Sequence, residues 1–372
     1  SSSRIRTGRY PTRGLPPCLG QGSVHHRRSV KILFWGTPQY AVTTLEALHD
    51  AGHSLVGVVT QPDRRRGRGQ QLVPSPVKTK ALEIGCPVFT PQRIRRDTAL
   101  QAQLASLQAD LSVVVAFGQI LPVSVLQQPP LGCWNGHGSL LPRWRGAGPI
   151  QWSLLEGDAT TGVGVMAMEE GLDTGPVLLE RSIPIGLLTN AEQLALALSQ
   201  LTATLMVEAM PVIEAAGAGA EQDRLARLQV KAQSGPTTYA RLLNKDDYLI
   251  DWSSSALEIH RKVMGLYPNA LARWHGKRFK IVETEPLIVR LREHLSDAAQ
   301  SLLNRWDAGS TPPGRVLAVI DTVGVVVSSS GCPVLIRAGQ LEGKKRSSGD
   351  ALIQQMGVKE GLLVENGTLT NP

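Results

Sequence analysis

With 372 residues, 42% of them apolar, and a formal net charge of +8, the chain is long enough for about two folded domains, each with a buried core. No run approaches the roughly 18 apolar residues of a membrane span; the most apolar stretch, 111–121, is interrupted by Gly118 and Gln119. Cys18, Cys86, Cys133 and Cys332 are too scattered for a disulfide framework, and no Cys or His pair has zinc spacing.

The charge is local. Glu46 is the first acidic residue, and residues 1–30 carry six arginines, so the rest of the chain is left at only +2. That leader, rich in Ser, Arg, Gly and Pro, reads as a mitochondrial transit segment, with a plain basic tail as the alternative. The expected location is the mitochondrial matrix. Residues 31–35 are a short β-like run broken by Gly36-Thr37-Pro38, and a helix follows with Ala41, Leu45 and Leu48 at helical spacing. Alternation continues with strands at 53–60, 87–90, 110–116 and 132–138 and helices at 76–84, 98–107 and 149–155. Strands at 163–168 and 177–185 complete the set. Strand–helix alternation of this kind predicts an α/β fold, a Rossmann-like, doubly wound, mostly parallel sheet. The first turn lacks the G-x-G-x-x-G spacing of a dinucleotide site.

A long helix is expected over 190–216, then Gly217-Ala218-Gly219-Ala220 as an exit. Beyond it the pattern predicts helices at 238–243 and 255–264 and short strands at 270–274, 278–282, 314–320, 324–327 and 334–337. Those strands, separated by Gly, Pro and Asp-Thr turns, predict a small OB-like β-barrel. Residues 290–310 read as a loose polar insertion. The expected organisation is a leader at 1–30, a first domain at 31–216, a linker at 217–235, a barrel at 236–357 and a tail at 358–372.

Chemistry concentrates in two segments. Asn135 and His137 lie two apart, so on a strand they point the same way. Asp173 follows a second strand-like run and sits in a glycine-flanked turn. An amide, an imidazole and a carboxylate suit a reaction that builds and collapses a tetrahedral oxyanion, which is acyl-transfer chemistry. Taken singly, each residue could equally satisfy a buried backbone group or form a turn. Cys133 reads as a small buried residue rather than a nucleophile. Arg64, Arg65, Arg66 and Arg68 form a basic glycine-containing loop suited to RNA phosphates, although a charge run alone is more often a solvated face.

Asn135-x-His137-x-Ser139-Leu140-Leu141-Pro142, with Gly171-Leu172-Asp173-Thr174-Gly175, resembles the folate-dependent formyltransferases. Phe34-Trp-Gly-Thr-Pro38, Thr60-Gln-Pro-Asp-Arg64, Pro74-Ser-Pro-Val-Lys78, Arg143-Trp-Arg-Gly-Ala147, Ile250-Asp-Trp252 and Gly343-Lys-Lys-Arg346 place the likeness in the branch whose acceptor is methionyl-tRNA. The resemblance implies the formyltransferase fold and 10-formyltetrahydrofolate as co-substrate, with initiator methionyl-tRNA as acceptor. Neither a metal nor a membrane is required, and a monomer is expected. It implies catalytic roles for Asn135, His137 and Asp173. The folate would lie against Phe117, Gly118, Leu121 and Pro122 and against Ser139, Leu140, Leu141 and Pro142. The tRNA would meet Arg64, Arg65, Arg66, Arg68, Lys78, Arg143, Arg145, Lys344 and Lys345, with Arg273, Lys277, Arg278 and Lys280 adding positive charge to the barrel. Two departures stand out: Gly136, where the family usually has a β-branched or apolar residue, and Gly164, where it has Thr or Ser. The alternatives are a formyltransferase acting on a nucleotide-linked amino sugar or purine precursor, and a non-catalytic RNA-binding scaffold.

Overall fold

The computed structural model describes residues 29–370, so the expected leader lies outside the described residues apart from its last two positions. In chain order the first elements are β1 (Lys31–Gly36), α1 (Gln39–Asp50), β2 (Ser54–Val59), a hairpin of β3 (Arg64–Arg66) and β4 (Gln71–Val73), α2 (Pro76–Glu83) and β5 (Val88–Phe89). Next come α3 (Thr98–Ser106), β6 (Leu111–Val115), α4 (Val123–Leu126), β7 (Cys133–His137), β8 (Arg145–Gly146), α5 (Pro149–Leu155), β9 (Thr160–Ala167) and β10 (Val177–Pro184). Seven of these strands form one sheet in the order β10-β9-β7-β6-β1-β2-β5. β7, β6, β1, β2 and β5 run parallel, while β9 and β10 are antiparallel additions at one edge. This is the mostly parallel doubly wound sheet that the strand–helix alternation predicts.

Alternate residues of the central strands feed two cores. Ile32, Phe34, Val113 and Val115 pack with α1 and with α6 (Ala191–Ala216) on one face. Leu33, Trp35 and Val114 pack with Leu104, Phe117, Leu121 and Val125 on the other. Full burial of such side chains stabilises the fold by about 1.5–3 kcal/mol each. The Asn190–Gln193 capping box starts α6 where the sequence predicts it, satisfying two otherwise unpaired backbone donors. One sequence expectation is corrected here. With a mean hydropathy of 1.5, α6 is long and apolar enough to cross a membrane by length and composition. Small polar residues along it (Ser199, Thr202, Thr204) hide this from a search for unbroken apolar runs, and half of that window is buried in the protein.

The second unit follows α7 (Glu221–Leu228) and the two-residue strand β11 (Tyr239–Ala240). It contains α8 (Ala256–Gly265), β12 (Leu271–Trp274), β13 (Lys277–Pro286), α9 (Asp297–Gln300), β14 (Val316–Ile320), β15 (Gly324–Val327), β16 (Val334–Leu341), β17 (Ser347–Ser348) and α10 (Gly349–Met356). Its antiparallel sheet has the order β12-β13-β16-β15-β14, with β17 on β16. The expected tail is not a tail. Val364 N–H donates to the Gly314 carbonyl (2.8 Å) and Glu365 exchanges backbone bonds with Arg273 (2.9 and 3.1 Å), so this segment bridges the two outer strands.

Three further expectations are corrected. Residues 238–243 are extended rather than helical, because Tyr239–Ala240 pairs in parallel with Arg145–Gly146 of the first unit. The expected linker carries α7, whose Arg224 is buried and donates to the Leu131 carbonyl at 2.9 Å. Residues 290–310 are not loose, since Leu295, Ala299, Leu302 and Leu303 are buried against Val326 and Leu335. The units also meet at His260, buried in α8. Its Nε2–H donates to the Leu187 carbonyl (2.7 Å), and its Nδ1 lies 2.8 Å from the Thr284 hydroxyl. Burial holds this ring below the ordinary imidazole range, in its neutral form.

Candidate active site

The carboxyl ends of β1, β6 and β7 lie side by side, and the loops that leave them hold the candidate groups. In a doubly wound sheet this edge is where ligands gather, next to the point where strand order reverses. That reversal falls between β1 and β6, and the Thr37 hydroxyl spans it by donating to the Phe117 carbonyl at 2.8 Å.

Asn135 and His137 share one face of β7. Asn135 is paired with Val114 of β6, and His137 with Gly164 of β9. His137 is buried and its Nε2 lies 2.8 Å from the Trp144 carbonyl, which can only accept, so Nε2 carries a proton. The free nitrogen is therefore Nδ1, and it stands 3.7 Å from Asp173 Oδ2. Trp144 adopts a left-handed backbone with φ +58°. Its amide donates to Thr238 Oγ1 at 2.9 Å and its indole N–H to Asp158 at 2.8 Å, which fixes the carbonyl on His137.

Asp173 is also left-handed, at φ +53°, a conformation uncommon outside glycine and Asn/Asp. Its Oδ2 accepts the Gly146 amide at 2.8 Å, which aims the carboxylate at the His137 side of the turn. Gly175 closes that turn, and any side chain there would collide with the Ala167 carbonyl. The structure thus brings Asp173 to His137, while Asn135 lies half-buried two residues along the same strand face. Cys133, on that face too, is buried and its thiol is pushed up to about 12 by desolvation, which leaves it protonated and unreactive at neutral pH.

The loop expected to take the folate is shaped by its backbone. Phe117 is buried edge-on against Trp35 (5.2 Å between centroids) and Leu121 is buried, whereas Ile120 is 71% exposed. Gly118 has φ +92°, and a Cβ there would lie 2.9 Å from Gln61 Nε2. Gln61 is held by Gln119, whose amide donates to it at 2.9 Å. Phe117 and Leu121 therefore belong to the core beneath the loop, and Ile120 is the apolar side chain that the loop presents to solvent. On the facing loop Ser139 is buried and donates to the Arg143 carbonyl at 2.6 Å, and Leu141 is buried with Pro142 behind it.

The basic residues fall into two groups. Arg64, Arg65, Arg66 and Arg68 are exposed on the β3–β4 hairpin, which replaces the expected glycine-containing loop. Lys344 and Lys345 are exposed in the β16–β17 turn. Lys277 and Arg278 are also exposed, at the start of β13, whereas the others are bonded within the protein. Lys78 pairs with Asp63 at 2.9 Å, Arg143 makes a two-point bond to Asp158 (2.8 and 2.6 Å), and Arg145 is bound by Gln233. Arg273 is buried and bonded to Thr368 and Gly276, so it adds no surface charge. Among the described residues no cluster of three or more His, Cys, Asp or Glu is placed to hold a metal ion.

The two departures differ in consequence. A Cβ at Gly164 would meet Val177 Cγ1 at 3.6 Å, an ordinary contact, so the missing side chain is not forced by space. A Cβ at Gly136 would lie 2.5 Å from Thr202 Cγ2 and 3.4 Å from Met206 Cε, on the α6 side of the sheet away from His137. Thr202 is itself fixed, bonding the buried Tyr40 hydroxyl at 2.9 Å and the Leu198 carbonyl at 2.7 Å. Gly136→Val should therefore destabilise the fold by about 1–3 kcal/mol, as overpacking does. Thr202→Ala in the same chain should recover part of that loss in denaturant unfolding. Simple additivity of the two changes would show that the residues do not compete for space.

Comparison with known proteins bears on the family and the fold. The family model described as formyl transferase matches residues 29–210, and the formyl transferase C-terminal domain matches 242–357. Methionyl-tRNA formyltransferase of Synechococcus sp. (strain WH7803) is 66% identical over 332 residues, covering 89% of this chain and 97% of its own. That of Synechococcus sp. (strain CC9311) is 68% identical over 330 residues, covering 88% and 96%. Among solved structures, HypX from Aquifex aeolicus in complex with tetrahydrofolic acid superposes with a TM-score of 0.56 at 16% identity. The match covers 92% of this chain and 51% of HypX, a likeness of fold. These relatives overturn the mitochondrial expectation, because they are cyanobacterial. An acid-free Ser/Arg-rich stretch has the composition of a transit segment and equally that of any basic segment, so composition alone carried no address.

Proposed function

Because the chain belongs to the formyl transferase family, with both its amino-terminal and carboxy-terminal domains, we infer that it moves the formyl group of 10-formyltetrahydrofolate to the α-amine of methionyl-tRNA. The product primes translation initiation, and the acceptor is the initiator methionyl-tRNA. When bound, the folate supplies an activated formyl carbon. The observation that carries the residue-level reading is the approach of His137 Nδ1 to Asp173 Oδ2, 3.7 Å apart at the carboxyl edge of the sheet.

Attack of the amine turns the formyl carbonyl into an oxyanion. Asn135 donates an amide N–H to it. His137 donates through Nδ1 when protonated, because Nε2–H is held by the Trp144 carbonyl. Asp173 lies close enough to favour that proton and to receive, directly or through a water, the one shed by the attacking amine. Collapse of the intermediate breaks the bond from the formyl carbon to the folate nitrogen, which takes up the proton shed by the amine, so tetrahydrofolate leaves and the formyl group stays on the amine nitrogen. All three groups come from one polypeptide, so a single copy suffices for the chemistry. Phe117–Pro122 and Ser139–Pro142 flank the site and hold the folate, and the exposed arginine hairpin with Lys344 and Lys345 holds the tRNA.

The test is formyl transfer from 10-formyltetrahydrofolate with methionyl-tRNA, free methionine and an amino-sugar nucleotide as parallel acceptors. Transfer to methionyl-tRNA alone is expected. Transfer to the sugar nucleotide in preference would overturn the acceptor class, and folate binding without transfer to any acceptor would overturn the catalytic reading.

A further inference from the structure

The segment between the two domains contributes a side chain to the frame of the site. We propose that Gln233 is a positioning residue for the Asp173 carboxylate, an inference that rests on the role given to Asp173 above. Gln233 Nε2 donates to the Asp173 carbonyl at 2.7 Å and to the Gly175 carbonyl at 2.8 Å. Its Oε1 accepts from Arg145 Nε at 3.1 Å and Nη2 at 2.8 Å. Both donors and both acceptor positions of one amide are therefore used, and they join two loops that meet at the site. Arg145 is adjacent to Gly146, whose amide holds Asp173 Oδ2. Gln233 thus ties together the backbone of the carboxylate and the loop that aims it.

Asp173 needs such a tie. A left-handed backbone at a residue other than glycine persists only where its surroundings hold it. The turn is otherwise exposed at Gly171 and Leu172, so local packing does little of that work. Gln233 itself is anchored on both sides. Lys231 exchanges backbone bonds with Val177 (2.8 and 2.9 Å), and Thr238 accepts the Arg145 amide at 2.9 Å. The amide is therefore delivered to Asp173 by backbone pairing rather than by chance contact of a mobile side chain.

Two variants separate the halves of the clamp. Gln233→Ala removes both halves. Gln233→Glu keeps the size and the acceptor for Arg145 but cannot donate to the Asp173 and Gly175 carbonyls. In the full-length enzyme, with methionyl-tRNA and 10-formyltetrahydrofolate, both variants should lose about 10–100-fold in kcat, the scale of a small misplacement of a reacting group. KM for either substrate should change by less than about twofold, since the bonds serve geometry rather than binding. Gln233→Ala also leaves the Asp173 and Gly175 carbonyls without their donor, so its unfolding midpoint should fall modestly and activity is read well below that midpoint. Full kcat in Gln233→Glu, a loss confined to KM, or a fall in the unfolding midpoint matching the activity loss would each overturn the inference. Asp173→Asn is run alongside. If it keeps wild-type turnover, the role of Asp173 fails and the inference with it; if it is inactive while both Gln233 variants are normal, the positioning inference alone fails.

Discussion

His137→Ala should lower kcat by about 10²–10³-fold, the usual effect of deleting one oxyanion donor, while leaving the affinity for methionyl-tRNA within about twofold of wild type. The expectation follows from how the ring is held. Its Nε2–H is occupied by the Trp144 carbonyl, so its only contribution toward a substrate is through Nδ1, which faces Asp173 and the cleft. The residue is buried on β7 and is not among the exposed arginines and lysines given the grip on the tRNA, so most of the tRNA affinity should survive its loss. The substitution also leaves the Trp144 carbonyl with only the long bond from the Ser139 hydroxyl (3.4 Å), at a cost of about 1 kcal/mol in stability, so unfolding is measured on the same preparation. Single-turnover formylation gives the chemical step directly. Turnover within tenfold of wild type would remove His137 from the chemistry, and equal losses of turnover and tRNA affinity would make it a structural residue.

The parts of this site that could be read from the sequence are those with a period. Asn135 and His137 share a face because a strand repeats every two residues, and the turn at Asp173 is announced by glycines on either side. The parts that could not be read depend on partners distant in sequence. Arg143 and Arg145 look like surface charge until Asp158 and Gln233 are found against them, 15 and 88 residues away. Gln233 sits before Ser234-Gly235-Pro236, a composition that reads as a connector, and nothing local marks it as bonded to Asp173. Nor does any local signal ask Trp144 for a left-handed backbone, since the Thr238 hydroxyl and Asp158 carboxylate that hold it arrive from other segments.

The same reasoning explains the errors in the second unit. A helix over 238–243 is plausible from composition, but the edge formed by Arg145–Gly146 offers backbone groups that Tyr239–Ala240 can pair with. Pairing wins because unpaired backbone groups at a buried junction are costly. Residues 290–310 are polar on average, yet Leu295, Leu302 and Leu303 are spaced to reach one apolar face, and averaging hid them. At Gly136 the missing side chain is matched by Thr202 from α6, a complementarity of two positions far apart in the chain.

Replacing Arg64, Arg65, Arg66 and Arg68 together with Ala should weaken methionyl-tRNA binding and flatten its salt dependence. Removing one phosphate-binding arginine lowers the slope of log K against log salt by about 0.7–0.9, so removing four would take up to about 3–3.6 from it. The hairpin suits this role because its arginines are exposed while Leu72 and Val73 on its second strand are also largely exposed, so it supports little of the core. Arg65 is partly spent on its own turn, donating to the Gln70 carbonyl at 3.1 Å, which makes it the weakest contributor of the four. Turnover at saturating tRNA should remain close to wild type, because none of these side chains touches Asn135, His137 or Asp173. Lys344→Ala with Lys345→Ala serves as the comparison: those lysines sit on the second unit, and their removal should subtract from the slope independently if both units grip one tRNA. An unchanged slope in the arginine variant would take the hairpin out of the RNA interface. An unchanged slope in the lysine variant would confine the grip to the first unit.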